Sequence, residues 1–142
     1  MIKLHLYKPN SWIGYGICIV TFSKYCHAAI EYKGKLYDAS ESRGRFGKAS
    51  LHTINRPSSQ HLISVDDDTI IDGWLSRNMN RKYDYKGVIG WIFKVNDHNR
   101  FYCFEALYDI LLTVKVIEKP MPKRVSARTL ISVLGDYYKR NY

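Results

Sequence analysis

Cys103, His27 and Asp38 are the residues whose types and surroundings suit nucleophilic chemistry at a carbonyl carbon. Cys103 stands in Arg100-Phe101-Tyr102-Cys103-Phe104-Glu105-Ala106-Leu107-Tyr108-Asp109-Ile110-Leu111-Leu112, where Phe104, Leu107, Tyr108, Leu111 and Leu112 recur at helical spacing. The pattern predicts a helix that opens at the cysteine. Unpaired N–H groups and a partial positive charge at a helix start favour thiolate over thiol, and the thiolate is the nucleophilic form. A cysteine among aromatics fits equally well as a small buried hydrophobe.

A base and an orienting acid come from upstream. Ser23-Lys24-Tyr25-Cys26-His27-Ala28-Ala29-Ile30-Glu31-Tyr32-Lys33-Gly34-Lys35-Leu36-Tyr37-Asp38-Ala39-Ser40 reads as a β-hairpin turning at Lys33-Gly34-Lys35. Strand alternation puts His27, Ala29 and Glu31 on one face and Ala28, Ile30 and Tyr32 on the other. His27 at the start of one strand then lies across from the end of its partner, within reach of Asp38 or Ser40. An imidazole there accepts a thiol proton and returns it to a leaving group, while a carboxylate fixes its tautomer. A core histidine beside a turn aspartate is the competing reading of the same residues.

The elements that must position these groups follow in chain order. Residues 2–7 alternate as a first strand, ended by Pro9-Asn10, and Ser11 caps a helix to about Thr21 with Trp12, Ile13, Ile17, Ile19 and Val20 as its apolar surface. Residues 42–59 are rich in Gly, Arg and Ser and read mainly as a loop rimming a cleft, with one short strand near His52–Ile54. His61–Val65 predicts another strand. Asp66 caps a helix over 67–80 buried through Ile70, Ile71, Trp74, Leu75 and Met79, and Tyr83–Phe93 predicts a short helix under the site. Residues 96–99 form a loop, Thr113–Val116 is β-prone, and Ser126 caps a last helix, Ala127–Leu134, before a basic tail, 137–142, that frays.

With 142 residues, 46% hydrophobic and 14% aromatic, the chain has the size and composition of one globular domain, residues 1–142. Three cysteines without paired spacing support neither a disulfide framework nor a thiolate zinc site, and His5, His52, His61 and His98 lack metal-ligand spacing, so no metal and no cofactor is expected. The net charge of +9 implies attraction to an acidic partner. Its lysines and arginines are dispersed, which argues against dedicated nucleic-acid binding. The most apolar early run, Trp12–Phe22, is about half the ~20 residues of a transmembrane helix, and no signal-peptide pattern is present.

Taken together, Tyr25-Cys26-His27, Tyr37-Asp38-Ala39-Ser40, Tyr83-Asp84-Tyr85-Lys86-Gly87 and Tyr102-Cys103-Phe104-Glu105 resemble, in order and spacing, the circularly permuted papain-like branch of the NlpC superfamily, with its YiiX-like and lecithin:retinol acyltransferase-like members. The likeness spans residues 10–130. It implies an α+β, papain-like fold: an antiparallel sheet packed against helices, with the cysteine at a helix N-terminus. It also implies thiol-dependent hydrolysis or transfer at an acyl or amide carbonyl.

Cys103 carries over as nucleophile, His27 as base and Asp38 as third residue. Ser40 and Glu41 are alternatives for the third position, Glu105 supports the helix start, and Tyr25, Tyr102 and Phe104 are expected at the substrate cleft. Phe104 departs from the small polar residue usual after the cysteine. The expected activity is that of a cysteine hydrolase of peptide or amide bonds, plausibly in cell-wall peptides near an anionic cell-wall polymer. An acyltransferase or lipid esterase, and a non-catalytic virion or host-binding protein, are the alternatives. Small size, basic charge and the absent export signal suit a phage-encoded protein in the bacterial cytoplasm or on the virion.

Overall fold

A computed structural model of the chain describes residues 1–84 and 102–141. Most of the helix expected over Tyr83–Phe93, and the 96–99 loop, lie outside the described residues.

The fold is α+β, a five-stranded antiparallel sheet with five helices among the described residues. Strands β1 (Ile2–Tyr7), β2 (His27–Tyr32), β3 (Lys35–Ser40), β4 (Arg45–Lys48) and β5 (Ser59–Ile63) are ordered β4-β3-β2-β1-β5. Alternation in β1 sends Ile2, Leu4 and Leu6 into the core, while Lys3 and His5 join Glu31 of β2 on the opposite face. The β1–β2 register pairs Lys3 with Glu31, His5 with Ala29 and Tyr7 with His27. The β2–β3 hairpin turns on two residues, Lys33 (φ 48°) and Gly34 (φ 71°), a left-handed pair whose twist matches that of the strands.

Helix α1 (Trp12–Thr21) begins as expected, with Ser11 accepting the Gly14 N–H. Its packing differs from the expectation. Trp12, Ile13 and Ile19 are exposed, at 83%, 50% and 73%, and the helix meets the body of the protein at Gly14. A Cβ at Gly14 would stand 3.1 Å from Cys26 Sγ and 3.2 Å from Pro9 Cβ, a fit that a larger residue would enter only by pushing those neighbours aside.

The strand expected near His52–Ile54 is instead a single helical turn, α2 (Leu51–Ile54), because the Ser50 side chain accepts the Thr53 N–H and caps it. Its neighbour β4 arises where a loop was expected: Phe46 buries its ring, and Asp38 pairs with Gly47. Helix α3 (Asp68–Asn78) is capped by Asp67, one residue later than expected, through the Thr69 N–H.

Helix α4 (Cys103–Thr113) lies in the middle of the core. Ala106, Ile110 and Leu111 are inaccessible, Trp74 of α3 donates its indole N–H to Asp109 at 2.7 Å, and the helix packs on β2 and β3. The β-prone Thr113–Val116 is not a strand. Lys115 at φ 58° ends the helix, and Val116 and Ile117 turn back into the core. Helix α5 (Ala127–Asn141) starts after Ser126, which accepts the Thr129 N–H. It runs past Leu134 through the tail that was expected to fray, because Tyr137 is buried and Tyr138 donates its hydroxyl to the Leu62 carbonyl. Among the described residues no helix is long and apolar enough to cross a membrane.

Candidate active site

Each of the three residues sits at the end or middle of an element that fixes it. His27 is the first residue of β2, Asp38 lies in β3, and Cys103 is the first residue of α4, which packs against both strands. His27 Nε2 lies 2.8 Å from Asp38 Oδ2. That bond commits Nε2 and leaves Nδ1 as the ring's other nitrogen, and the Cys103 thiol lies near enough to the ring to raise its pKa. The Tyr7 ring packs against His27 at 5.7 Å and limits its rotation.

The electrostatics of the pair follow from its burial and its partners. Burial pushes the His27 imidazolium toward deprotonation, but the hydrogen bond to Asp38 and the interaction with Cys103 outweigh it and raise the ring to about 10. Burial pushes Asp38 upward in turn, and the bonds from His27 and Arg43 outweigh it and hold the carboxyl below its ordinary range. Both shifts favour an imidazolium against a carboxylate, and such a ring carries the proton that a leaving group needs.

Asp38 is 1% exposed, so it depends on partners that hairpin pattern alone does not reveal. Arg43 Nη2 donates to Asp38 Oδ1 at 2.7 Å and to the Asp38 carbonyl at 2.6 Å, and the Thr53 hydroxyl reaches Oδ2 at 3.5 Å. Both come from the 42–59 stretch read as a loop. The available signal was an arginine within a few residues of a strand aspartate, and it became specific only once β4 folded Arg43 back across β3.

The other expected residues divide. Ser40 bonds Ser42 at 2.9 Å and, with Glu41, lines the cleft next to His27 without replacing Asp38. Glu105 does support the helix start: its carboxylate accepts the Tyr102 N–H at 3.2 Å. Burial raises its carboxyl to about 7, the Asp84 charge adding to the rise while the Tyr102 N–H and Arg81 oppose it.

Tyr25, Tyr102 and Phe104 are corrections to the expected cleft. Tyr25 turns its hydroxyl to Ser59 at 2.7 Å, Tyr102 is buried with its hydroxyl accepting the Val125 N–H at 2.9 Å, and Phe104 is buried in the core. An aromatic beside a helix cap packs inward when the helix it flanks is central. A cavity of about 270 Å³ that His27 lines is walled by Ser11, Ile13 and Ile17 of the α1 region and by Ser50, Thr53 and Arg56, and Cys103 is not among its lining residues.

Cys18, Cys26 and Cys103 are free thiols. Burial and the neighbouring Cys26 push Cys18 up to about 11, which disfavours its thiolate. Among the described residues no group of three His, Cys, Asp or Glu is placed to hold a metal ion. No family model matches the chain, and no curated protein matches it.

Proposed function

We propose that the protein is a thiol-dependent hydrolase of amide or peptide bonds, with Cys103 as nucleophile, His27 as general acid and base, and Asp38 as the residue that orients His27. The observation that carries this reading is the His27 ring, bonded to buried Asp38 at 2.8 Å and near enough to Cys103, which opens a buried helix, for the thiol to raise its pKa. The arrangement is that expected of a permuted NlpC-type, papain-like site.

In the proposed reaction the Cys103 thiolate attacks the carbonyl carbon, and first-turn N–H groups of α4 face the developing oxyanion. His27 passes its proton to the departing amine. A water then attacks the thioester, giving its proton to His27, and releases the acid. Bacterial cell-wall peptides remain the substrate class suggested by the sequence resemblance, and the basic charge of the chain suits the anionic polymers that surround them.

A second reading, transfer or hydrolysis of lipid acyl esters, draws on one observation. Helix α1 carries no charged side chain, exposes Trp12, Ile19 and Tyr15, and supplies Ile13 and Ile17 to the cleft wall, so an acyl chain would meet an apolar surface beside His27.

Alkylation by iodoacetamide across pH, followed by peptide mass spectrometry, tests the nucleophile. Cys103 should be alkylated faster than Cys18 and Cys26, and His27→Ala should slow it. A Cys103 rate no faster than those of the other two thiols, or unchanged in His27→Ala, overturns the reading. Release of new amino groups from cell-wall peptides, with none of fatty acid from phospholipid vesicles, would select the first reading over the second.

A further inference from the structure

The face of the sheet that carries His27 holds a second histidine relay that the thiol centre does not use. His5 in β1 is buried, with Nδ1 2.8 Å from Ser58 Oγ and Nε2 2.8 Å from Glu31 Oε2. An ionised carboxylate only accepts, so Nε2 carries a proton, and in the neutral ring Nδ1 offers its lone pair to the Ser58 hydroxyl. Lys3, opposite Glu31 in the β1–β2 register, lies 3.2 Å from both carboxylate oxygens and keeps Glu31 ionised. Ser58 comes from the segment between α2 and β5, immediately before the strand that pairs with β1.

The hydrogen bonds alone would pin residues 55–58 to the sheet. What goes beyond a clamp is the cavity that His5, Glu31 and Ser58 all line, of about 710 Å³, within the size range of small-molecule sites. Its wall mixes apolar Leu36 and Ile54 with cationic Lys35, Lys48 and Arg56. Glu31, the one carboxylate among the described residues that line the cavity, is already engaged by Lys3 and His5. Among those residues the unmatched charge is positive.

We propose that Ser58, His5 and Glu31 form a second nucleophilic centre, independent of Cys103, that hydrolyses small esters carrying an anionic group. Ser58 Oγ bonds to the ester carbon as its proton passes to His5 Nδ1. Collapse of the tetrahedral adduct breaks the bond to the leaving oxygen, which takes that proton and departs as an alcohol. Water then attacks the acyl-serine, gives a proton to His5, and releases the acid while Ser58 recovers its hydrogen. The cationic wall receives the anionic group of the ester, and Glu31 acts as a positioning residue that holds the ring tautomer.

The test is labelling of the full-length protein with a fluorophosphonate probe, read by peptide mass spectrometry. Ser58 should be the modified residue in the wild type and in Cys103→Ala. His5→Gln should slow labelling at least ~10²-fold, as expected for loss of a general base. Glu31→Gln, whose amide oxygen still accepts the Nε2 proton, should retain labelling that Glu31→Ala loses. An unmodified Ser58 in the wild type overturns the proposal, as does equal labelling in His5→Gln, and neither result bears on Cys103. For the ligand class, Cys103→Ala should hydrolyse 4-nitrophenyl hemisuccinate faster than 4-nitrophenyl acetate, with the preference lost in Lys35→Glu/Lys48→Glu. Equal rates in Cys103→Ala overturn the anionic assignment.

Discussion

His27 and His5 sit one strand apart on the same sheet, each bonded at 2.8 Å through Nε2 to a carboxylate, His5 with Ser58 at its Nδ1 and His27 near enough to Cys103 for the thiol to raise its pKa. They differ in what surrounds the acid. Asp38 is 1% exposed and takes Arg43 and Thr53 besides the histidine, whereas the Glu31 side chain is 30% exposed and takes Lys3. Low local dielectric strengthens the first set of bonds, and water screens the second. Two similar hydrogen-bond geometries therefore make different electrostatic devices: a tightly coupled ion pair at His27, and a softer relay open to a larger cavity at His5.

The largest effect separating the two centres should be chemical. Under the proposed function, Cys103→Ala removes the nucleophile and should lower amide hydrolysis by at least ~10³-fold, and Asp38→Asn, which changes the ring's acceptor, by ~10²- to 10⁴-fold. Turnover of a fluorogenic peptide by purified variants measures both. Full activity in Cys103→Ala would remove the thiol from the comparison altogether.

The next effect is on stability. Asp38→Ala strands the Arg43 guanidinium and the His27 imidazolium in a buried site, and should cost ~3–5 kcal/mol, the range for breaking a buried ion pair by removing one partner. Glu31→Ala should cost much less, because its partners regain water. Urea denaturation of the two variants gives the ratio directly, and equal losses would erase the distinction drawn from burial.

How much of this was legible in the sequence depends on the range of the interaction. The hairpin, the Ser11 cap and the helix opening at Cys103 are set by local alternation, turn chemistry and 3.6-residue spacing, and the structure has them where they were expected, with the turn expected over Lys33-Gly34-Lys35 tightened to Lys33-Gly34 because Lys35 already pairs with Tyr32. The placement of Asp38 within reach of His27 followed from the same hairpin. Arg43 and Thr53 were not legible, since their roles depend on β4 and α2 folding a polar stretch back over β3. The assignment of Tyr25, Tyr102 and Phe104 to the cleft treated neighbours in sequence as neighbours in the site. Burial of α4 on most sides draws Tyr102 and Phe104 into the core instead. The Ser58–His5–Glu31 relay joins three separate segments, and no local pattern announces it.

Titration offers a finer separation. His27 is raised above its unfolded value, so the stability it adds is complete below ~6.5 and is lost as pH rises toward about 10. Glu105 is raised to about 7, so the folded state holds its proton longer and stability also falls between ~4.5 and 7. Asp38 is lowered, and its contribution is present above ~3.8 and lost as pH falls through its folded value. A melting-temperature profile should therefore decline in two steps above pH ~4.5. Glu105→Gln should flatten the lower step and leave the upper one, and a single step above pH 6.5 in the unmodified protein would contradict the assignment of Glu105.

The smallest expected effect probes the softer centre. Lys3 meets Glu31 at 3.2 Å across β1 and β2, with both side chains about 30% exposed. An ion pair of that exposure is worth ~0.2–1 kcal/mol, diminished by salt. Lys3→Ala should lower stability by that amount at low ionic strength and by less at ~1 M salt, where the Debye length shrinks to about 3 Å. Denaturation of the variant at two salt concentrations measures it. A loss of several kcal/mol that salt does not change would place Glu31 in the same buried, tightly coupled class as Asp38, and the contrast between the two histidines would then have to rest on their nucleophiles alone.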